Sequence, residues 1–571
     1  MKGIGVSPGI SIGKACVIKS NQAILTGILL KDADEISAGI KHFDDAVIAA
    51  INEIELTRQN KNLQLNEEDI SILETQVEFL SDPQLRDDII EKITAAKLNV
   101  NDAVITTIAD MVQIFSAMED EYLRARAPDI KDIGARILNH LDSPRPGFAQ
   151  QFEPGTIIIA EDILPSAMIT MDIANVTGFV TRAGSKTSHT AIIARSKGIP
   201  AVVGCGNDLD MINNNDLVVL DGTAGLVFVN PKQPVINEYK AKKDAYLTQA
   251  NLLKQLKDIP AATADGTAIT LLANISGAAD MEAVFGNGGE GVGLFRTELL
   301  FMDRDSFPAE DEQFEYYKKV ALLSKGKPVI VRTIDIGGDK QLPYFGLPAE
   351  QNPFLGYRAI RICLDRTDLF IIQLKAILRA SMFGNLKIMF PMVSNISEVR
   401  EAKTILVRAK DELLHDNIPF NPNVQVGIMI EVPSAAITAD ILAKEVDFFS
   451  IGTNDLCQYT LAADRMNEKI THLYDPYNPA VLRLIKYVIE QAHQHHIHVG
   501  LCGEMAADPT ATLLLMGMGL TTFSMSANAI PAIKNIIINN DVSAARGICA
   551  KAMAMDNSQT IIEFLKGITA Q

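Results

Sequence analysis

The sequence predicts a multidomain α/β protein: an α/β domain with an inserted helical-bundle subdomain, followed by a C-terminal (β/α)8 TIM barrel. From about residue 262 onward, an apolar strand, a polar turn and a helix alternate eight times, which is the signature of such a barrel. Residues 31–141 instead show helical spacing of apolar positions, interrupted only at Pro83 and Pro128. A chain of 571 residues is long enough for this organisation.

The composition fits an ordinary globular protein. Hydrophobic residues make up 47% of the chain and charged residues 21%, which supports large cores and disfavours disorder. The net charge of −18 repels phosphate backbones and anionic lipids, so we expect neither nucleic-acid binding nor attachment to a membrane surface.

Three further features bear on location. The first twenty residues contain no uninterrupted apolar core and therefore do not resemble a signal peptide. The uncharged stretch 510–533 is long enough to span a bilayer, but its threonines, serines, Asn528 and Pro531 favour a buried helix followed by a buried strand. Six scattered cysteines without a CxxC pair fit reduced thiols in a cytoplasmic protein.

We predict four regions in chain order. Residues 1–22 and 145–230 form the α/β domain, with strands in 3–18 and at 156–160, 176–181, 201–204, 217–220 and 226–229. Residues 23–144 form the inserted bundle of about four helices, at 36–56, 67–80, 85–96 and 101–126. Residues 231–260 are a charged helical linker, and residues 261–571 form the barrel, with strands at 269–275, 291–295, 329–333, 387–391, 425–430, 446–451, 498–501 and 522–525.

Polar side chains collect where the predicted barrel strands end, the place where barrels carry their catalytic groups. They include Arg296, Arg332, Glu431, Asn454, Asp455 and Cys502, with Arg358 and Arg465 in following loops or first helical turns. Arginines bind phosphate and carboxylate, and carboxylates at two strand ends suit Mg²⁺. The set predicts a small anionic substrate with a phosphoryl group, although any single member is about as easily explained as a structural salt bridge.

A second cluster occupies residues 184–195, where a glycine turn leads into a helix whose first turn carries His189. Free N–H groups and the helix dipole favour an anion there. A neutral imidazole can attack phosphorus, with Lys186 and Arg195 adding positive charge. A lone histidine at a helix start is more often a bystander, but the surrounding Gly-x-x-Thr-Ser-His-x-Ala-x-x-x-Arg string favours a functional role.

Four histidines fall within six residues, at 493, 495, 496 and 498. A metal site is conceivable there. Helix and strand geometry would point the rings in different directions, so we favour a solvated helix end that enters the seventh barrel strand.

Over essentially its whole length the sequence resembles the enzyme I family of the bacterial phosphoenolpyruvate:sugar phosphotransferase system. The strings that carry the resemblance are 187–192, 291–298, 332–340, 352–356, 448–456 with 458–460, and 502–504. The resemblance implies these roles: His189 is phosphorylated; Arg296 and Arg332 grip the phosphoryl group of phosphoenolpyruvate, with Arg358 assisting; Glu431 and Asp455 hold Mg²⁺; Asn454 and Arg465 bind the carboxylate end; Cys502 protonates the enolate carbon to give pyruvate.

The resemblance also implies partners and movement. The helical insertion would dock the phosphocarrier protein HPr, and the barrel would form a homodimer. Because His189 and Cys502 lie on different domains, we expect a swivelling mechanism with its hinge in the linker. Two departures from the family pattern, Ser185 in the histidine loop and Ala507 after Cys502, remove no chemical group.

Two rival functions remain at this point. A pyruvate, phosphate dikinase or phosphoenolpyruvate synthase shares the swivelling histidine and the barrel, but it also needs a large nucleotide-binding domain, and no P-loop string is present. A non-catalytic sensor of phosphoenolpyruvate would need neither His189 nor Cys502.

Overall fold

The computed structural model describes the whole chain except residues 19–24, 60–66, 118–126, 142–151, 162, 164–174, 185–187, 189, 192–193, 196–197, 303, 305, 339–341, 347–349, 468 and 570–571. The chain divides into two units, Met1–Gln249 and Ala250–Gln571. Each unit buries its own apolar side chains.

The first unit contains a seven-stranded sheet in the order β1-β5-β4-β3-β2-β6-β7. Its strands are β1 Ile4–Ser7, β2 Ile10–Ile18, β3 Thr156–Ala160, β4 Val176–Thr181, β5 Ala201–Val203, β6 Leu217–Asp221 and β7 Leu226–Val229. Strands β2 to β5 pair in parallel through β3 and β4. Since β2 lies beside β3, the helices between them in sequence form an insertion, which confirms the predicted fold class.

Helices fill the insertion, and one further helix follows the sheet and ends within the second unit. They span Ala33–Gln59, Glu67–Leu80, Pro83–Thr94, Val100–Ala117, Ala127–Leu141 and Gln233–Gln255. The inserted ones bury a common core that includes Phe43, Ile54, Leu73 and Ile89. The last helix covers most of the expected linker.

The two prolines that interrupt the helical spacing of the insertion lie in the first turns of helices, and Asp82–Pro83 is a helix boundary, as the sequence predicts. Pro83 is the first residue of its helix, where Asp82 caps the end by accepting a hydrogen bond from the Gln84 N–H at 2.8 Å. Pro128 is the second residue of Ala127–Leu141. Proline suits the first turn because its missing N–H would have no helical partner there. The expected count of about four inserted helices is therefore too low by one within the described residues, and part of the predicted helix 101–126 lies outside them.

The second unit is a closed barrel of eight parallel strands in the order β8 to β15. They are β8 Thr270–Ile275, β9 Val292–Phe295, β10 Val329–Arg332, β11 Leu386–Phe390, β12 Val426–Ile430, β13 Phe448–Ile451, β14 His498–Leu501 and β15 Thr522–Met525. Each predicted strand lies within two residues of an observed one. The predicted barrel is confirmed.

Helices follow the barrel strands in the alternation that the sequence predicts. They span Met281–Gly286, Glu310–Leu323, Ile360–Asp365, Thr367–Ala380, Ile396–His415, Pro433–Ile437, Ala439–Leu442, Thr453–Leu461, Pro479–Gln494, Pro509–Met518, Ile530–Ile538, Val542–Met553 and Ser558–Thr569. The uncharged stretch 510–533 holds a buried helix and then β15, as expected. None of the helices described combines the length and apolar character needed to cross a membrane.

The barrel also holds the end of the linker through a buried lysine. Lys534 lies in the helix Ile530–Ile538 and is only 2% exposed. Its ammonium Nζ donates to the carbonyl oxygens of Leu256 and Lys257, each at 3.0 Å. The residues just after the linker helix are thus fixed to the barrel.

The four clustered histidines lie where the helix Pro479–Gln494 gives way to β14. His493 and His496 are exposed, and the ring of His498 lies 3.2 Å from the Thr522 hydroxyl. This placement is the helix end that the sequence favours.

Candidate active site

All eight barrel strands run in parallel, so their carboxyl ends meet at one rim. Arg296 follows β9, Arg332 ends β10, Glu431 follows β12 and Cys502 follows β14. Asn454 and Asp455 lie in the first turn of the helix after β13. The strand topology therefore brings these predicted residues to the same end of the barrel.

Arginines and carboxylates alternate along a continuous series of ion pairs at this rim, which we call the charge chain. Its members, in order of contact, are Glu298, Arg332, Asp335, Arg358, Asp455 and Arg465. The joining N–O distances are 2.7, 2.9, 2.8, 3.4 and 2.8 Å. The first five side chains are at most 8% exposed and Arg465 is 29% exposed. Burial of these charges is tolerable because each has an opposite charge beside it.

The buried guanidiniums retain unused donor capacity. Within the described residues, the Nε atoms of Arg332 and Arg358 are buried and have no hydrogen-bond partner. A buried donor left unpaired costs free energy of about 1–3 kcal/mol.

Arg358 is held from several sides. Its Nη1 donates to the Tyr459 hydroxyl at 3.0 Å, and that hydroxyl donates to the Phe354 carbonyl at 2.5 Å. A Cβ added at Gly337, where φ is +102°, would lie 2.6 Å from the Cβ of Arg358. A side chain at that turn would therefore displace the arginine.

Glu431 is 2% exposed and one of its oxygens accepts a hydrogen bond from the Met392 N–H at 2.6 Å. Met392 reaches this position with a left-handed backbone, at φ 57°. Burial, together with the negative charges of Asp455 and Asp335, raises the pKa of Glu431 to about 8. The same crowding of carboxylates would be relieved by a divalent cation.

Cys502 is buried at the inner face of the barrel, 3% exposed, and its Sγ lies 3.7 Å from the Ile451 carbonyl. Burial raises the pKa of its thiol to about 11. The thiol therefore stays protonated near neutral pH and has a proton to donate.

Asn454 and Arg465 are the remaining predicted ligands of the substrate carboxylate. The Asn454 side-chain oxygen accepts a hydrogen bond from the Glu504 N–H at 3.0 Å. Arg465 pairs with Asp455, and its backbone N–H donates to the Gln458 side chain at 3.1 Å. Both side chains thus lie at the rim between β13 and β14.

Arg296 stands apart from the charge chain. Its side chain is exposed and lines a cavity of about 280 Å³ together with residues that include Asn274, Ser276, Asp280 and Asn528. The cavity lies at the ends of β8, β9 and β15.

His189, Ser185 and Lys186 lie outside the described residues. Around them, Gly184 has φ +118°, and a Cβ there would lie 3.1 Å from the Cβ of Val203. Arg195 donates from Nε to the Ala191 carbonyl at 3.1 Å.

Sequence reasoning assigned no role to Glu298, Asp335 or Tyr459. Asp335 joins two arginines of the charge chain and Glu298 ends it. In the sequence, Glu298 and Asp335 are marked only by lying near predicted strand ends. The ion-pair partner of such an acid cannot be named until the loop conformations are known.

Three family models match the chain. They are described as PEP-utilising enzyme, N-terminal (residues 2–126), PEP-utilising enzyme, mobile domain (152–225), and PEP-utilising enzyme, PEP-binding domain (250–542). A phosphoenolpyruvate-protein phosphotransferase of Bacillus subtilis is 44% identical, with 99% of each chain covered. This chain belongs to the phosphoenolpyruvate-protein phosphotransferase family.

Other phosphoenolpyruvate-protein phosphotransferases match as completely. That of Staphylococcus carnosus is 43% identical, covering 100% of this chain and 99% of its own. That of Buchnera aphidicola is 42% identical, with 99% of each chain covered. The predicted resemblance to enzyme I is confirmed, and the chain is an enzyme of the transferase class.

Proposed function

We propose that the chain transfers the phosphoryl group of phosphoenolpyruvate to its own His189 and then to a histidine of the HPr phosphocarrier, releasing pyruvate as the first step of sugar uptake. The observation that carries this proposal is the buried charge chain beside a protonated thiol at one barrel rim. Phosphoryl transfer depends mainly on positioning and neutralisation of charge, and the enolate that departs then needs a proton.

In this proposal the guanidiniums at the rim bind the two ends of the substrate. Arg332 and Arg296 bind the phosphoryl group, and Arg358 assists. The guanidinium charges of Arg332 and Arg358 favour this dianionic group. Asn454 and Arg465 bind the carboxylate end.

Mg²⁺ fits the same rim. Glu431 and Asp455 supply carboxylate oxygens, which are hard ligands of the kind that Mg²⁺ prefers. No group of three or more histidine, cysteine or acidic side chains within the described residues forms a ready metal cage. Mg²⁺ commonly takes one or two carboxylates and completes its shell with water and substrate phosphate, which fits the pair Glu431 and Asp455. The ion would neutralise phosphate charge.

The chemical step has two parts. An imidazole nitrogen of His189 attacks phosphorus, so that a P–N bond forms while the bond from phosphorus to the enol oxygen breaks. The enolate carbon then takes the proton of the Cys502 thiol, which gives pyruvate and leaves a thiolate that water reprotonates.

Exposed apolar side chains support the proposed partners. On the helical insertion Ile48 is 57% and Leu56 70% exposed, which suits docking of HPr. On the barrel, Leu355, Ile437 and Met466 are 60–64% exposed in segments that follow strand ends, which suits a homodimer. We place the enzyme in the cytoplasm, where phosphoenolpyruvate is formed.

The test is the intact mass of the protein after incubation with phosphoenolpyruvate and Mg²⁺. We expect an acid-labile phosphoryl adduct on the wild type and none on His189→Ala. The absence of an adduct on both would overturn the proposal and favour a sensor that binds phosphoenolpyruvate without turnover.

A further inference from the structure

Cys502 is fixed at the barrel rim by hydrogen bonds on both sides. On one side its backbone N–H donates to the Ile451 carbonyl of β13 at 3.0 Å. On the other side its carbonyl accepts a hydrogen bond from Asn274 Nδ2 at 2.9 Å. Asn274 belongs to β8, which is separated from β14 by the whole of β15.

Asn274 can contact Cys502 across β15 because of how β14 and β15 pair. The ladder between β14 and β15 contains a single register pair, Leu501 with Phe523. Cys502 lies beyond this pair, so the Asn274 amide takes the place of a ladder donor. An amide placed here satisfies a carbonyl that would otherwise lose its partner on burial.

Asn274 is itself held in one orientation. The buried Ser524 hydroxyl of β15 donates to its Oδ1 at 2.6 Å, which fixes which end of the amide faces Cys502. Space for Ser524 comes from Gly293 of β9, where an added Cβ would lie 2.4 Å from the serine hydroxyl. Asn274 also lines the cavity that contains Arg296.

We propose that Asn274 is a positioning residue that aims the Cys502 thiol at the enolate carbon. It acts through the Cys502 carbonyl, with Ser524 setting its amide. This inference rests on the proposed role of Cys502 as the proton donor. A shift of the thiol would slow protonation, because a general acid works only within hydrogen-bond reach of its target.

The main variant is Asn274→Asp, which keeps the shape but replaces the donor to Cys502 with an acceptor. The new carboxylate also lies in the cavity that contains Arg296, so we measure at saturating phosphoenolpyruvate, where we expect kcat for pyruvate release to fall by about tenfold or more. Ser524→Ala is a milder variant that removes only the orienting bond, and we expect a smaller loss in the same direction. It keeps the inference testable if Asn274→Asp does not fold.

The stereochemistry of the product distinguishes a misplaced Cys502 thiol from a general loss of structure. Phosphoenolpyruvate carrying one deuterium at C3 in defined geometry is turned over in tritiated water. A fixed thiol delivers its proton to one face and gives a chiral methyl group, whereas an enolate protonated by bulk water gives a racemic one. We expect the wild type to give chiral pyruvate and Asn274→Asp to give largely racemic pyruvate.

Thr522→Val is the matched control. Its hydroxyl lies 3.2 Å from His498 and links β15 to β14 at the opposite end of the barrel. We expect it to lower the melting temperature while preserving kcat and chirality. If Asn274→Asp keeps wild-type kcat and chirality, or if Thr522→Val racemises the product equally, the inference is wrong. Cys502→Ala distinguishes failure of this inference from failure of the proposed function. If that variant turns over normally, the role proposed for Cys502 itself is wrong.

Discussion

At the scale of single residues, burial decides what each group of the site can do. The Cys502 thiol and the Glu431 carboxyl lie in the same barrel rim, and burial raises the pKa of each. For the thiol, this retains the proton that we propose the enolate takes up. For the carboxyl, the crowding by Asp455 and Asp335 marks a place where a cation is favoured.

The first prediction concerns alkylation of Cys502 by iodoacetamide, followed by mass spectrometry of its peptide. Only the thiolate reacts, and burial disfavours that charged form, so the rate should keep rising as pH passes the ordinary thiol value near 9 towards about 11. A plateau below pH 9 would contradict the expected thiol. Cys502→Ala identifies any signal from the other cysteines.

The second prediction concerns Asp335→Asn, which leaves Arg332 and Arg358 without their shared carboxylate. Breaking a buried ion pair costs about 3 kcal/mol of unfolding free energy, measurable by urea denaturation. We also expect KM for phosphoenolpyruvate to rise, since the two arginines would lose their fixed positions.

The control is Glu312→Gln at the partly exposed pair with Arg304. Such pairs contribute at most about 1 kcal/mol, so its unfolding curve should nearly overlay that of the wild type. Equal losses in both variants would show that the charge chain is no more important than a surface pair.

At the scale of elements, strands were easier to predict than contacts. Apolar runs located the barrel strands to within two residues, because burial on both faces leaves little room for polar positions. The helix boundary expected at Asp82–Pro83 was also found, because proline ends one helix and suits the first turn of the next. The sequence also predicted that most site residues lie at strand ends, and the barrel topology brings those ends together at one rim.

The side-chain contacts that the sequence did not predict depend on loop conformation and on closure of the barrel. Asp335 and Arg358 lie 23 residues apart, and their ion pair forms only when the segment after β10 folds back on the rim. Asn274 meets Cys502 across β15, 228 residues away in sequence. Such pairings depend on barrel closure, which no local pattern records.

The third prediction uses Ala462, which ends the helix Thr453–Leu461 in a left-handed conformation at φ 51°. That conformation costs a residue with a Cβ about 1–2 kcal/mol. Ala462→Gly should therefore raise the unfolding free energy, by about 0.5 kcal/mol after the greater entropy of unfolded glycine is counted.

Ala550→Gly is its control, because Ala550 is exposed inside the helix Val542–Met553. There the same substitution should destabilise by about 1 kcal/mol. Opposite signs in thermal melts support the backbone argument, and a loss of stability in both variants would refute it.

At the scale of the whole molecule, the two units have separate cores, and the proposed reaction requires residues of both. His189 belongs to the first unit and the charge chain to the second. A swivelling mechanism requires the linker to keep them at a high effective concentration, which for short linkers is in the millimolar range.

The fourth prediction is that separate fragments 1–249 and 250–571, mixed at about 1 μM, phosphorylate His189 about a thousandfold more slowly than the intact chain. The initial rate should rise with fragment concentration, whereas the intact enzyme should show a first-order rate independent of it. Equal, concentration-independent rates would mean that the linker does not deliver the histidine. Circular dichroism of each fragment checks its folding.

The buried ammonium of Lys534 decides where such a cut can be made. A barrel fragment that began at the sequence-predicted boundary, residue 261, would lack the carbonyls of Leu256 and Lys257 that this ammonium binds. The ammonium would lose both acceptors and would be exposed to water where these residues covered it, so the packing of the helix Ile530–Ile538 in this region would be weakened. We therefore expect a barrel fragment that includes the last residues of the linker to be more stable than one that begins at residue 261.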